Sequence, residues 1–185
     1  MPVGPYKIVI RDAQRAPVIA HVPHAATFIP EAARRAFVIE DAALDRELVR
    51  VTDWHADHLF SWVLDMGGLL FVNTVSRLAF DPERFSDDAE EPMSAVGQGA
   101  VYTRTTDGEP LADISPTMRA TRMEAWYEPY HEGLTGAVGS LLDRFGMAII
   151  LDCHSFPTEP LPSEPDQNAH RPDICIGTDA VHTPP

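Results

Sequence analysis

Two histidines in this chain stand just past strand-like apolar runs, a placement that suits metal chemistry. The run Met147-Ala148-Ile149-Ile150-Leu151 empties into Asp152-Cys153-His154-Ser155-Phe156-Pro157, and Val18-Ile19-Ala20-His21-Val22-Pro23-His24 leads into Ala25-Ala26-Thr27. Open α/β sheets place their chemistry at the carboxyl ends of strands, so parallel strands would bring His24 and His154 to one rim as metal ligands. Catalytic zinc commonly takes three protein ligands and a water, often two His and a carboxylate. Ala25, Ala26 and Thr27 supply no carboxylate, which leaves Val51-Thr52-Asp53-Trp54-His55-Ala56-Asp57-His58 as the densest source. Asp53 is the first choice for the third ligand, with His55 and Asp57 behind it. Asp53 and Asp57 are one helical turn apart and share a face, while Thr52 or Asp53 would also serve as a helix N-cap. Asp152 can ligate, orient His154 from behind or simply end its strand, and orienting is the preferred role.

Arginines form the second chemical class. In Asn73-Thr74-Val75-Ser76-Arg77-Leu78-Ala79-Phe80-Asp81-Pro82-Glu83-Arg84, Arg77 and Arg84 flank a strand-to-loop transition. Surface ion pairing is the ordinary use of arginine in an acidic chain. The functional use is a fork for a substrate carboxylate, or a cation that steadies a carbonyl oxygen becoming anionic. Of the eight histidines, His21, His24, His55, His58, His131 and His154 lie in or beside expected elements, whereas His170 and His182 lie in loops.

The elements that must position these groups alternate. Tyr6 to Arg11, Val18 to Val22, Leu69 to Val75, 147 to 152 and Ile174-Cys175-Ile176 read as strands. Pro30 to Phe37 and Asp41 to Val49 read as short helices. Between Asp53 and Met66, the positions Trp54, Leu59, Trp62 and Val63 favour one amphipathic helix, stopped by Gly67-Gly68. Residues 81 to 115 are a long excursion rather than regular structure, of the kind that is functional when it occurs in a compact domain. Pro116 opens a longer helix that runs to Phe145 with a kink at Pro129. Trp54, Trp62 and Trp126 are expected core anchors. The alternation implies α/β architecture: a mostly parallel or mixed sheet with helices on both faces. One domain over 1-185 is expected, and the short stretch after Ile176 suggests that it is truncated at its C-terminal end.

Composition narrows the function classes. The chain has 185 residues, 44% of them hydrophobic, with 14 basic against 28 acidic side chains and a formal net charge of -14. Such a surface argues against nucleic acid or anionic membrane as partner. No run approaches a membrane span, and the first residues lack a signal-peptide pattern, so a cytoplasmic protein is expected. Cys153 and Cys175 are too few for a disulfide framework and are expected to be reduced.

Six ordered motifs then carry a resemblance. Pro23-His24, Thr52-Asp53-Trp54-His55, Ser76-Arg77 with Asp81 and Arg84, Thr103-Arg104-Thr105 before Gly108-Glu109-Pro110-Leu111, Tyr127-Glu128-Pro129-Tyr130-His131, and Asp152-Cys153-His154-Ser155 together resemble the N-formylglutamate amidohydrolase family over about residues 17 to 178. The resemblance implies a zinc-carboxypeptidase-like (phosphorylase/hydrolase-like) fold and one catalytic Zn2+ per chain. It also implies a metal-activated water that splits N-formyl-L-glutamate into formate and L-glutamate, a step of histidine degradation. By that resemblance His24 and His154 match metal ligands, Arg77 matches the group that polarises the carbonyl, and Arg84 the group that binds the substrate carboxylate. Arg77 and Asp152 are the catalytic candidates; Arg84, Arg104, Tyr130 and His131 are the substrate-binding ones. The expected partner is a small N-acyl amino acid carrying carboxylates.

Three departures stand out. Ala25-Ala26-Thr27-Phe28 replaces a segment in which many members have a Glu. Glu83-Arg84 replaces a common Asn-Arg. The general base, a Glu on a late strand in the carboxypeptidase pattern, is expected beyond residue 185. Two rival readings remain: a related metallo-hydrolase for other N-acyl amino acids or small peptides, and a carboxylate-binding module without catalysis.

Overall fold

Alternating apolar side chains mark out strands, and in the computed structural model, which describes residues 4–178, 180, 181 and 183, four of them pair into one mixed sheet. The strands are β1 (Tyr6–Val9), β2 (Val18–Val22), β3 (Leu69–Asn73) and β4 (Ile149–Asp152), in the order β1-β3-β2-β4. β2 runs parallel to both β3 and β4, and β1 closes one edge antiparallel to β3. The three parallel strands therefore end on the same edge of the sheet. His24 follows β2, Asp81 follows the turn after β3, and His154 follows β4.

Among the described residues six α-helices accompany the sheet: α1 (Glu31–Arg34), α2 (Asp41–Val51), α3 (Ala56–Leu59), α4 (Trp62–Asp65), α5 (Pro116–Arg122) and α6 (Glu128–Phe145), with one short 3-10 turn at Pro92–Val96 inside the 81 to 115 excursion. Strand alternation sorts them onto two faces. Ile19, Leu69 and Phe71 pack with Ala33 of α1 and with Tyr130, Ala137 and Leu141 of α6. Ala20, Val22, Leu70 and Val72 pack on the other face with Ala56, Val63, Leu64 and Cys153. Each fully buried Val, Leu, Ile or Phe side chain among these contributes roughly 1.5–3 kcal/mol. A third cluster ties Leu44 and Val51 of α2 to Phe37, Leu78, Tyr102 and Leu111. The 81 to 115 excursion is thereby anchored to the body of the protein. Among the described residues, no helix is long and apolar enough to cross a membrane.

Several expectations are corrected. The single helix over 53 to 66 is two short helices, because His55 adopts a left-handed conformation (φ 63°) that no continuous helix tolerates. Asp53 and Asp57 consequently do not share a helical face. Trp54 and Trp62 are exposed, each at 45%, and are not core anchors; Trp126 does pack against the core. Gly67 (φ 85°) ends α4 as expected, and a Cβ there would lie 2.8 Å from that of Arg15.

The kink expected at Pro129 is a wide helical turn over Met123–Tyr127, between α5 and α6. Pro129 lacks the N–H that an α-helix would direct at residue 125, and the wider turn absorbs the gap. Ser115 caps α5, its hydroxyl accepting from the Met118 N–H at 3.2 Å, with Pro116 in the first turn. β4 is not a buried strand: Ile149 and Ile150 are 36% and 47% exposed. Ile174-Cys175-Ile176 forms no strand and lies in the open. A short apolar trio with two β-branched residues becomes a strand only where a sheet edge takes it up, and this one meets none among the described residues. The loop residue His182 lies outside the described residues.

Candidate functional site

The turn after β2 is fixed through its backbone carbonyls. The Asn73 side-chain amide donates to the Pro23 carbonyl at 2.8 Å, and the Asp53 backbone N–H donates to the His24 carbonyl at 3.0 Å. The β2/β4 register sets His21 opposite Asp152, one step from the strand end. Three chain segments thus converge, and His24, Asp53 and His154 present ligand atoms within 4.8 Å of one another. Asp53 Oδ2 lies 2.8 Å from His154 Nδ1 and 3.8 Å from His24 Nδ1. The two imidazole centroids are 5.3 Å apart. Asp53 and His24 are buried, and His154 is partly so.

The orientation of the His24 ring follows from its neighbours. Its Nε2 lies 2.9 Å from Asp81 Oδ1. Asp81 is fully buried; burial resists its ionisation, yet the Arg77 charge and the hydrogen bond from His24 outweigh this and hold its carboxyl well below the usual range. An ionised carboxylate only accepts, so Nε2 carries a proton, and in the neutral imidazole Nδ1 then has the lone pair that a metal needs. That Nδ1 is buried and has no hydrogen-bond partner. A buried acceptor without a partner costs about 1–3 kcal/mol, and a cation beside it removes the penalty. The residues therefore fit a metal ion: two imidazoles and one carboxylate, with a carboxylate behind His24 to set its tautomer.

His154 is arranged in the same way from its other side. Its Nε2 faces Asp152 Oδ2 and Glu83 Oε2, each at 3.3 Å. Burial opposes its charge, but hydrogen bonds to Asp152, Asp53 and Glu83 prevail and raise its pKa to about 12. Burial likewise resists ionisation of Asp152, and the hydrogen bonds from His154 and His21 reverse this and hold it low. Asp152 thus stands behind His154 rather than beside Asp53.

Asp81 is also the hub for the arginines. Arg77 donates to its Oδ2 from Nη2 at 2.8 Å and from Nε at 3.2 Å, and the Tyr102 hydroxyl donates to the same oxygen at 3.0 Å. Arg84 Nε lies 3.6 Å away and is buried without a hydrogen-bond partner. Burial pushes the Tyr102 hydroxyl up to about 12, so it remains a donor. A cavity of about 260 Å³ opens beside this group, lined among others by Arg50, Arg77, Arg84, Asp53, Tyr102 and His154. Its outer wall is the Pro-rich loop, with Phe156, Pro157 and Leu161.

Other sequence candidates lie elsewhere. His55, Asp57 and His58 are exposed on or before α3. Arg104 is exposed and donates to the Gly108 carbonyl at 2.7 Å, away from the cavity. Tyr130 is fully buried, with its hydroxyl 2.7 Å from His21 Nε2. His131 lines a second, open cavity with Tyr127 and Thr135. Both cysteines are free thiols, and burial pushes the Cys153 thiol up to about 12, which removes it as a nucleophile.

Sequence reasoning did not select His21, Asp81, Glu83, Tyr102 or Arg50. For Asp81 a signal existed, since Arg77 and Asp81 stand four apart. For His21 the signal was its position three residues before His24.

The chain matches the model of the N-formylglutamate amidohydrolase family over residues 16–184. It is 31% identical over 146 residues to an N-formylglutamate deformylase of Pseudomonas putida, an overlap that covers 76% of this chain and 52% of that one. A second N-formylglutamate deformylase, from Pseudomonas aeruginosa, is 29% identical over 171 residues, covering 90% and 60%. The crystal structure of an N-formylglutamate amidohydrolase from Ralstonia eutropha JMP134 superposes with a TM-score of 0.73 at 26% identity, over 84% of this chain and 59% of that one. A gene product of Agrobacterium tumefaciens shares the fold, with a TM-score of 0.64 at 18% identity. The chain spans between half and three-fifths of the length of these curated relatives.

Proposed function

The chain belongs to the N-formylglutamate amidohydrolase family, and from that premise we propose that it acts in zinc-dependent hydrolysis of N-formyl-L-glutamate to formate and L-glutamate. The observation that carries this reading is the buried, unpartnered His24 Nδ1 facing Asp53 and His154 beside an arginine-lined cavity. We read the mixed sheet as a single zinc-carboxypeptidase-like domain. The acidic composition and the two free thiols favour a cytoplasmic setting.

In this account His24, Asp53 and His154 hold one Zn2+, which when bound polarises a carbonyl and lowers the pKa of water from 15.7 toward about 7. Asp81 and Asp152 fix the two imidazoles from behind. Arg77, itself clamped by Asp81, would steady negative charge on the carbonyl oxygen. Arg84 is available at the cavity wall as the partner of a substrate carboxylate, and Arg50 stands across the same space as a second cation.

The test is formate release from N-formyl-L-glutamate by zinc-supplied protein, alongside N-acetyl and N-succinyl glutamate. Wild type should release formate and prefer the formyl substrate, and His154→Ala should be inactive. A fully active His154→Ala protein would overturn the reading.

A further inference from the structure

Glu83 reaches into the site from the turn after Asp81, and its two oxygens face different partners. Oε2 lies 3.4 Å from His24 Nδ1 and 3.3 Å from His154 Nε2. Oε1 turns the other way and lies 3.9 Å from His21 Nδ1. On that side His21 Nδ1 is also 2.7 Å from Asp152 Oδ1. His21, Glu83 and Asp152 therefore form a second set whose ligand atoms all lie within 4.8 Å of one another, next to the first set but sharing none of its three residues.

We propose that His21, Glu83 and Asp152 bind a second divalent transition-metal ion, with Glu83 as the carboxylate between the two sites. One imidazole and two carboxylates suit zinc or manganese. Paired metal ions bridged by a shared group recur in hydrolases, where the second ion helps hold the attacking or leaving oxygen. His21 is buried, whereas the Asp152 side chain is 54% exposed at the open side of β4, which leaves an entry path for an ion.

The partner of His21 permits the change of proton position that ligation needs. His21 Nδ1 lies 2.7 Å from Asp152 Oδ1 and Nε2 lies 2.7 Å from the Tyr130 hydroxyl, so in the Nδ1–H tautomer the ring donates to Asp152 and accepts from Tyr130. When Nδ1 turns to a cation it must surrender its proton, and Nε2–H then donates to the Tyr130 oxygen instead. A hydroxyl rotor serves both arrangements without moving the ring.

The inference adds a site to the one in the proposed function, and metal counting separates the two. The full chain is loaded with Zn2+, desalted and measured by elemental mass spectrometry as wild type, His24→Ala, His21→Gln and Asp152→Asn. Asp152 is exposed, so the last variant tests the site should the buried His21 substitution impair folding. Two zinc ions per wild-type chain, falling to one in His21→Gln or Asp152→Asn, is the expected result. A single wild-type zinc that His24→Ala removes and both His21→Gln and Asp152→Asn retain would overturn the second site while leaving the proposed function intact. A single zinc that His24→Ala retains and Asp152→Asn loses would support the second site and overturn the first.

Discussion

β2 and β4 lie side by side in one sheet and each delivers a histidine to the same rim, yet they are held by different forces. β2 pairs on both edges, and Ile19, Ala20 and Val22 are fully buried. β4 pairs with β2 alone among the described residues and exposes Ile149 and Ile150. His24 is therefore set by core packing and by the buried Asp81 hub. His154 is held by polar links: Asp53 at 2.8 Å, Asp152 and Glu83 at 3.3 Å, and the neighbouring Ser155 hydroxyl, which donates to the Trp54 carbonyl at 3.0 Å. The lesson is that one half of the site is built into the core and the other is tied on by charge.

The largest test of that contrast is Asp81→Asn. It strips the counter-charge from Arg77 in a buried setting, and it should cost about 3–5 kcal/mol in urea denaturation. Should stability fall by less than about 1 kcal/mol, the hub does not hold the His24 side. Next come paired truncations within the sheet. Ile19→Ala should cost about 2–5 kcal/mol, since it opens a cavity in a packed core. Ile150→Ala should stay within roughly 0.5 kcal/mol, as surface changes do. Equal costs would erase the distinction between the strands.

The smallest effect separates the halves by pH in metal-free protein. Asp81 has a folded pKa below its ordinary 3.8, so its stabilisation is present above 3.8 and is lost as pH falls toward the folded value. His154 has a folded pKa of about 12 against 6.5, so its stabilisation is full below 6.5 and is lost as pH rises toward 12. Hydrogen exchange should show the segment after β4 loosening in alkali while the β2 rim holds, because the histidine with the raised pKa lies on the β4 side. Loosening of the β2 rim together with the segment after β4 in alkali would contradict the comparison.

Much of this site could be read from residue order, because strand ends are visible as apolar runs that stop. His24 and His154 were legible for that reason, and Asp53 as the nearest carboxylate-bearing segment. What stayed hidden depended on long-range pairing. Glu83 reads as a departure beside Arg84, and nothing local shows that its oxygens reach histidines from two other segments. Trp54, Leu59 and Trp62 carry a helical period, but periodicity does not register the left-handed turn at His55 that breaks the helix and exposes all three. The trio Ile174-Cys175-Ile176 has strand composition without a strand to pair with. Composition specifies what a segment can become, and the neighbour decides.

The most direct test of the account is anomalous diffraction at the zinc edge from crystals of the zinc-loaded chain. The account predicts a peak about 2.0–2.2 Å from His24 Nδ1, His154 Nδ1 and an Asp53 oxygen. Well-ordered His24, Asp53 and His154 side chains with no anomalous peak among them, at saturating zinc, would contradict it.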